Sequence, residues 1–363
     1  MTDDPIECQP PSVSLSLGPV VSESQSRSGA VGSALAFALG AVALWATNAL
    51  VGKTLLALYP VSQVQFLQFC GATLVFALIR LFPSPFVGEG GRAKLGRMRG
   101  AGGVADAGVS SSTPHPSRRF APIHLLPQGE KGKAAFAYTV GFLGLVGTMV
   151  LQYIGFASMS VIEANLVAYT WPLMIAAAVI LLGRPRRPLL LGLAAALGFV
   201  GVVLVISGGR AQSWFDGSLV GYLAAFGSAL CMAFYSLTVG RLAVSPERLL
   251  LPSALIGVAL TFAWCLHDGI VRPSGAHLLL GLYLGAGPMG LGYYFWSRAA
   301  KLDHGGRIAV VAYLTPIAST FLLTLSGESL SMTAIAGAVL VIGSCLAVGI
   351  EGTETRHNVQ NGR

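Results

Sequence analysis

Asn165, Tyr169 and Pro172 stand at i, i+4 and i+7 within one apolar run, and Ala309, Tyr313 and Pro316 repeat that stripe 144 residues later. The wider segments are Val167-Ala168-Tyr169-Thr170-Trp171-Pro172 and Val311-Ala312-Tyr313-Leu314-Thr315-Pro316. An amide and a phenol on one face of a lipid-embedded helix face either a water-filled cavity or a neighbouring helix. In a cavity they offer stacking surface and neutral hydrogen bonds to a small solute. A proline inside such a run removes one backbone hydrogen bond and kinks the helix, so Pro172 and Pro316 read as hinges.

Other residues add to this set. Met289, Tyr293 and Trp296 share the i, i+4, i+7 spacing, with Pro288 beside them as a third hinge. Such a stripe is either core or pocket wall. Trp45 and Asn48 lie in the first apolar run, Ser236 matches Asn48 at an offset of 188, and Gln152 and Tyr153 lie in the third run. Trp171 lies well round from the Asn165–Tyr169 face on an ideal helix, so it packs on lipid unless the kink turns it inward. Gln65 and Gln68 serve either the cavity or helix packing.

No Ser/His/Asp arrangement, phosphate loop or metal-ligand cluster is visible, and no cofactor is expected. The Gly285-Ala286-Gly287-Pro288-Met289-Gly290 stretch follows no strand and reads as a flexible, close-packing segment. The five cysteines are scattered and read as small apolar residues. No Asp, Glu, Lys, Arg or His falls near the middle of any apolar run; Glu163 stands at the edge of one.

These residues need a membrane scaffold. The chain of 363 residues is 54% hydrophobic, only 10% charged, and has a mean hydropathy of +0.70. Soluble domains carry about 25% charge. Apolar runs of helical length without period-2 alternation predict an all-α integral membrane protein. Ten spans are expected, near 32–52, 64–82, 136–156, 161–182, 188–207, 218–239, 250–267, 277–297, 305–325 and 332–350.

The repeat predicts two five-helix units. An odd number of spans per unit forces the copies into opposite orientations, giving inverted repeats. The first unit covers 32–182 and 183–207, the second 218–350. Residues 1–31 read as a disordered cytoplasmic tail and 351–363 as a second tail. Spans one and six match at an offset of 188, spans four and nine at 144, so the first unit carries about 44 extra residues. Residues 84–133, rich in Gly, Ser, Pro and Arg, account for them as a disordered cytoplasmic insert.

With both termini cytoplasmic, 20 of the 23 Lys and Arg lie on the cytoplasmic side; the exceptions are Lys53, Arg210 and Arg272. The net charge of +8 thus sets topology and meets anionic lipid; it does not call for nucleic acid.

The repeat, the Tyr-x-x-Pro cores and the run Glu163-Ala164-Asn165-Leu166-Val167-Ala168-Tyr169-Thr170-Trp171-Pro172 resemble the drug/metabolite transporter superfamily, EamA type, most of all its bacterial aromatic amino-acid exporter branch. The resemblance covers about 32–82 and 134–350. It implies a monomeric inner-membrane protein that exports amino acids or related metabolites by alternating access, with a small-molecule substrate and membrane lipid as its partners. Trp45 and Asn48 occupy the region where small multidrug-resistance relatives carry a membrane glutamate. A sugar-phosphate or nucleotide-sugar exchanger is the alternative within the class, but it calls for a cation in the cavity. A membrane enzyme or sensor is the alternative outside it, and would need reactive groups or a signalling domain.

Overall fold

The computed structural model describes residues 20–82, 128–183, 187–208, 218–303, 307–325 and 331–361. Every regular element among them is helical. In order these are α1 (Val20–Leu56), α2 (Val61–Leu81), α3 (Gln128–Phe142), a π segment (Leu143–Gly147), α4 (Thr148–Ser158), α5 (Val161–Ala168), α6 (Trp171–Gly183), α7 (Pro188–Ser207) and α8 (Leu219–Val239). There follow α9 (Pro246–Asp268), α10 (Gly275–Leu284), a second π segment (Gly285–Leu291), α11 (Gly292–Leu302), a 3-10 segment (Arg307–Tyr313), α12 (Leu314–Leu325) and α13 (Met332–Asn361).

Among the described residues eight helical stretches are long and apolar enough to cross a membrane, and Ile308–Leu322 and Met332–Ala347 are shorter apolar helices. In hydrocarbon a backbone must satisfy its own hydrogen bonds, which leaves helices as the solution for these runs. Their starts follow local chemistry. The Ser160, Ser218 and Ser274 hydroxyls each accept from a backbone N–H three residues on. Proline opens α7 and α9, where its missing N–H costs nothing.

Helix boundaries differ from the expected ones at three places. Helix α1 already begins at Val20, so residues 20–31, expected as disordered tail, are helical, and α13 runs on to Asn361 through the expected second tail. Extending a nucleated helix adds one hydrogen bond per residue fixed, so the polar flanks continue it. Helix α3 begins at Gln128, taking in the last residues of the expected insert. The remainder of that insert, 84–127, lies outside the described residues, as does the tail before residue 20.

Breaks fall where proline sequence puts them. A proline ring clashes with the carbonyl four residues back and leaves it without a donor. For Pro172 that residue is Ala168, where α5 stops; for Pro316 it is Ala312, one residue before the 3-10 segment ends. Pro288 lies inside the second π segment, whose wider turn takes up the lost bond.

Close approaches use glycine. A Cβ on Gly71 or Gly285 would collide with the other helix's backbone, so α2 and the second π segment meet main chain to main chain. The Gly285–Gly290 stretch thus packs closely, as its composition predicts. A Cβ on Gly198 of α7 would lie 2.7 Å from the Tyr313 ring. That gap fixes where Tyr313 points.

Candidate functional site

A cavity of about 950 Å³ lies among α1, α4, α5, α8, α11 and α12, a size suited to small-molecule ligands. Its lining runs along α1 from Trp45 through Asn48 and Gly52 to Leu56, and on to Ala57 just beyond the helix. At that rim it meets Phe156 at the end of α4, Gly208 beyond α7 and Ser331 before α13. The opposite end of the lining, the floor, carries Trp45, Trp171 and Tyr293.

Eight of the twelve residues expected to bind substrate line this space: Trp45, Asn48, Gln152, Tyr153, Asn165, Tyr169, Trp171 and Tyr293. Pro316 lines it as well. The helix break between Ala168 and Trp171 resets the rotation of α6, so Trp171 turns inward and not to lipid. Asn165 Oδ1 accepts a long 3.5 Å hydrogen bond from Gln152 Nε2. The Tyr169 hydroxyl lies near Thr315, whose buried Oγ1 nevertheless has no partner of good geometry.

Four expected residues lie elsewhere. Trp296 is fully buried behind the floor and donates from Nε1 to Ser236 Oγ at 2.9 Å. Trp45 and Trp171 rest on its ring at centroid distances of 5.4 and 5.3 Å. Ser236 and Trp296 therefore support the wall without forming it. Met289 is buried in the same aromatic cluster. Tyr313 is fully buried among Leu191, Ala194 and Val341 of α7 and α13, and its hydroxyl has no partner. The 3-10 winding before Pro316 turns it there, into the space above Gly198, and it is not part of the cavity lining that Tyr169 helps to form. Pro172 and Pro288 act on the backbone and are not part of the lining.

The cavity also holds residues that the sequence reading passed over. Thr315, Ser319, Thr320 and Thr324 form a hydroxyl stripe on α12. Ser319 Oγ donates to the Ala46 carbonyl of α1 at 3.0 Å, tying the two helices together. Thr148, Met149, Ser228 and Met232 complete the opposite wall. Their i, i+4 spacing (148 with 152, 228 with 232, 315 with 319) was available in the sequence, but Ser and Thr satisfy themselves on carbonyls so readily that spacing alone is weak.

Among the described lining residues none carries a formal charge, and no group of three His, Cys, Asp or Glu among the described residues could hold a metal. Glu163 is buried beside the rim; its Oε1 accepts from the Tyr222 hydroxyl at 2.9 Å and its Oε2 from Ser160 at 3.0 Å. The site can therefore stack an aromatic or aliphatic group and hydrogen-bond a polar one through neutral partners.

Comparison with known proteins gives the same direction. Residues 219–350 match the EamA-like transporter family. The aromatic amino acid exporter YddG of Ancylobacter novellus is 34% identical over 191 residues, a match spanning 51% of this chain and 66% of that protein. A solved structure described as a crystal structure of a protein superposes with a TM-score of 0.67 at 24% identity, over 87% of this chain and 98% of the other, and so shares the fold. The second half of the chain is thus similar to the EamA-like transporter family, and the chain as a whole is a multi-pass membrane protein that resembles an aromatic amino acid exporter over about half its length.

Proposed function

We propose that the protein exports amino acids, aromatic ones among them, across the bacterial inner membrane by alternating access. The observation that carries this reading is the neutral, aromatic-floored cavity of about 950 Å³. Its polar lining is made of amides and hydroxyls, which can hold a zwitterion without a fixed counter-charge. Its tryptophans and tyrosines can stack a ring.

The proposal includes ten spans arranged as two inverted five-helix units, with the termini cytoplasmic and the protein acting as a monomer. The paired helix breaks before Pro172 and Pro316 support the repeat, since broken helices at corresponding places of two halves are a mark of secondary transporters. Under the charge-derived orientation the rim at Ala57, Gly208 and Ser331 faces outward, and the aromatic floor closes the inner side. Pro172, Pro288 and Pro316 would be the points at which one half rocks against the other. Substrate chemistry then needs no acid, base or cofactor, only a change of access.

The test is counterflow in proteoliposomes together with metabolite profiling of the growth medium. Cells expressing the gene should release more phenylalanine, tyrosine or tryptophan, and the purified protein should exchange labelled phenylalanine. Release of a different metabolite class with no aromatic exchange would overturn the reading.

A further inference from the structure

The hydroxyls on one side of the cavity have already given their protons away. Ser319 Oγ donates to the Ala46 carbonyl at 3.0 Å, Ser228 Oγ to the Thr148 carbonyl at 2.9 Å and Thr324 Oγ1 to the Thr320 carbonyl at 2.9 Å. A carbonyl oxygen only accepts, so each hydroxyl is the donor and keeps only lone pairs for a solute. All three residues line the cavity, on α8 and α12. Thr320 is the exception on that side, since among the described residues no acceptor is recorded for its hydroxyl. Thr315 stands against Tyr169 of the opposite side and belongs to neither set.

The N–H donors lie on the other side. Asn48 of α1, Gln152 of α4 and Asn165 of α5 are half-buried lining residues. Gln152 Nε2 gives one proton to Asn165 Oδ1 over a long 3.5 Å. Each amide carries two N–H protons, so most of that pair's donors remain unspent whichever way the amides are flipped. Trp171 adds another. The indole N–H groups of Trp45 and Trp296 are spent on the Pro288 carbonyl and on Ser236. That of Trp171 has no recorded acceptor among the described residues, and its nitrogen is not one of the buried atoms sealed away without a partner. The cavity that Trp171 lines is where its proton can be used. These donors all come from the first half of the chain. Amide oxygens and the Thr148 hydroxyl, which donates to the Leu143 carbonyl at 3.4 Å, give that half acceptors as well. What the second half lacks, Thr320 apart, is donors.

We propose that the cavity holds its solute as a zwitterion bridging the two halves of the chain, with the carboxylate on the N–H groups of Gln152, Asn165 and Trp171 and the ammonium on the hydroxyl oxygens of Ser319 and Thr324. This deepens the export reading and rests on it. A hydroxyl that already donates is polarised and accepts the better for it. Neutral donors hold a carboxylate and still release it, where an arginine fork would bind it more tightly. In an amino acid both charged groups sit on one carbon. A solute that satisfies both therefore draws α12 towards α4 and α5, and binding is coupled to the closing movement that alternating access needs.

The experiment uses the purified full-length protein and three probes: L-phenylalanine, 3-phenylpropanoate, which lacks the ammonium, and 2-phenylethylamine, which lacks the carboxylate. Each is measured by competition against labelled phenylalanine and by counterflow in proteoliposomes. Wild-type protein should bind all three, phenylalanine most tightly, and should exchange phenylalanine far faster than either single-ended probe. Gln152→Met and Asn165→Leu should each weaken phenylalanine and 3-phenylpropanoate about tenfold and leave 2-phenylethylamine unchanged. Ser319→Val, whose branched side chain also covers the carbonyl it frees, should weaken phenylalanine and 2-phenylethylamine to the same extent and leave 3-phenylpropanoate unchanged. Thr324→Val keeps the side-chain shape and reads the same site if Ser319→Val does not fold. The opposite pattern, equal loss for all probes, no loss, or exchange of a single-ended probe as fast as phenylalanine would overturn the assignment and leave the export reading standing. So would phenylalanine binding that neither single-ended probe competes. A wild-type protein that binds no phenylalanine would overturn the export reading and the assignment with it.

Discussion

The Trp45 indole N–H donates a 3.0 Å hydrogen bond to the Pro288 carbonyl oxygen, joining the first helix to a π segment 243 residues away. The π turn exposes that carbonyl, and Gly292 leaves room for the indole, since a Cβ there would lie 2.7 Å from Trp45 Nε1. A floor residue of the cavity is thus latched to one of the candidate hinges. Trp45→Phe keeps an aromatic ring, though a smaller one, and removes the donor, leaving a part-buried carbonyl bare at a cost of about 1–3 kcal/mol. Thermal unfolding in detergent should fall accordingly, and counterflow should slow. Gly292→Ala should do the same by pushing the ring aside. Unchanged rates in both would show that the latch has no part in transport.

The two repeat-matched tyrosines should behave differently. Tyr169 lines the cavity, so Tyr169→Ala should weaken phenylalanine binding more than Tyr169→Phe, which removes only a hydroxyl. Tyr313 has a buried, unpartnered hydroxyl. Tyr313→Phe should therefore leave stability equal or raised, by up to about 1–3 kcal/mol. Tyr313→Ala should empty the space above Gly198 and cost about 3–5 kcal/mol. Binding assays and melting curves on the four variants check this; weaker phenylalanine binding by a stable Tyr313→Phe protein would count against the assignment.

Orientation rests on the 20-to-3 division of Lys and Arg. Reporter fusions at positions 120 and 360 should both report cytoplasm. A periplasmic signal from either would reverse the assignment of the rim at Ala57 and Gly208 to the outside.

Residues 84–127 have no counterpart in the second half. Deleting about 86–127 should leave expression and counterflow near wild type. Carrying the deletion on to 133 removes the first turns of α3 and should lower yield. Loss of transport from the shorter deletion would show that the insert has a role.

The described lining residues carry no formal charge, and pumps driven by protons or Na⁺ usually keep an ionisable group at substrate depth. In liposomes the protein should equilibrate phenylalanine but not concentrate it under an imposed pH or Na⁺ gradient. Uphill accumulation would direct attention to Glu163, buried near the rim with Tyr222.

The sequence by itself determined the elements and their interruptions. Helices are dictated by apolar length in lipid, and the breaks before Pro172 and Pro316 by a proline ring meeting the carbonyl four residues back; both are local effects, readable along the chain. Spacing also found part of the cavity wall, because i, i+4 and i+7 share a face wherever the helix is regular. It could not find which way an irregular segment turns. Tyr313 follows 3-10 winding, and its direction was decided by a gap that Gly198 leaves on α7, 115 positions away. Trp296 keeps the spacing of Tyr293 but lies behind the floor, since Ser236 on α8 accepts its N–H there. Gln68 found its hydrogen-bond partner only when α2 met α4 and set its amide against Tyr153. Those outcomes depend on which helix packs against which, a long-range property that the order of residues does not display.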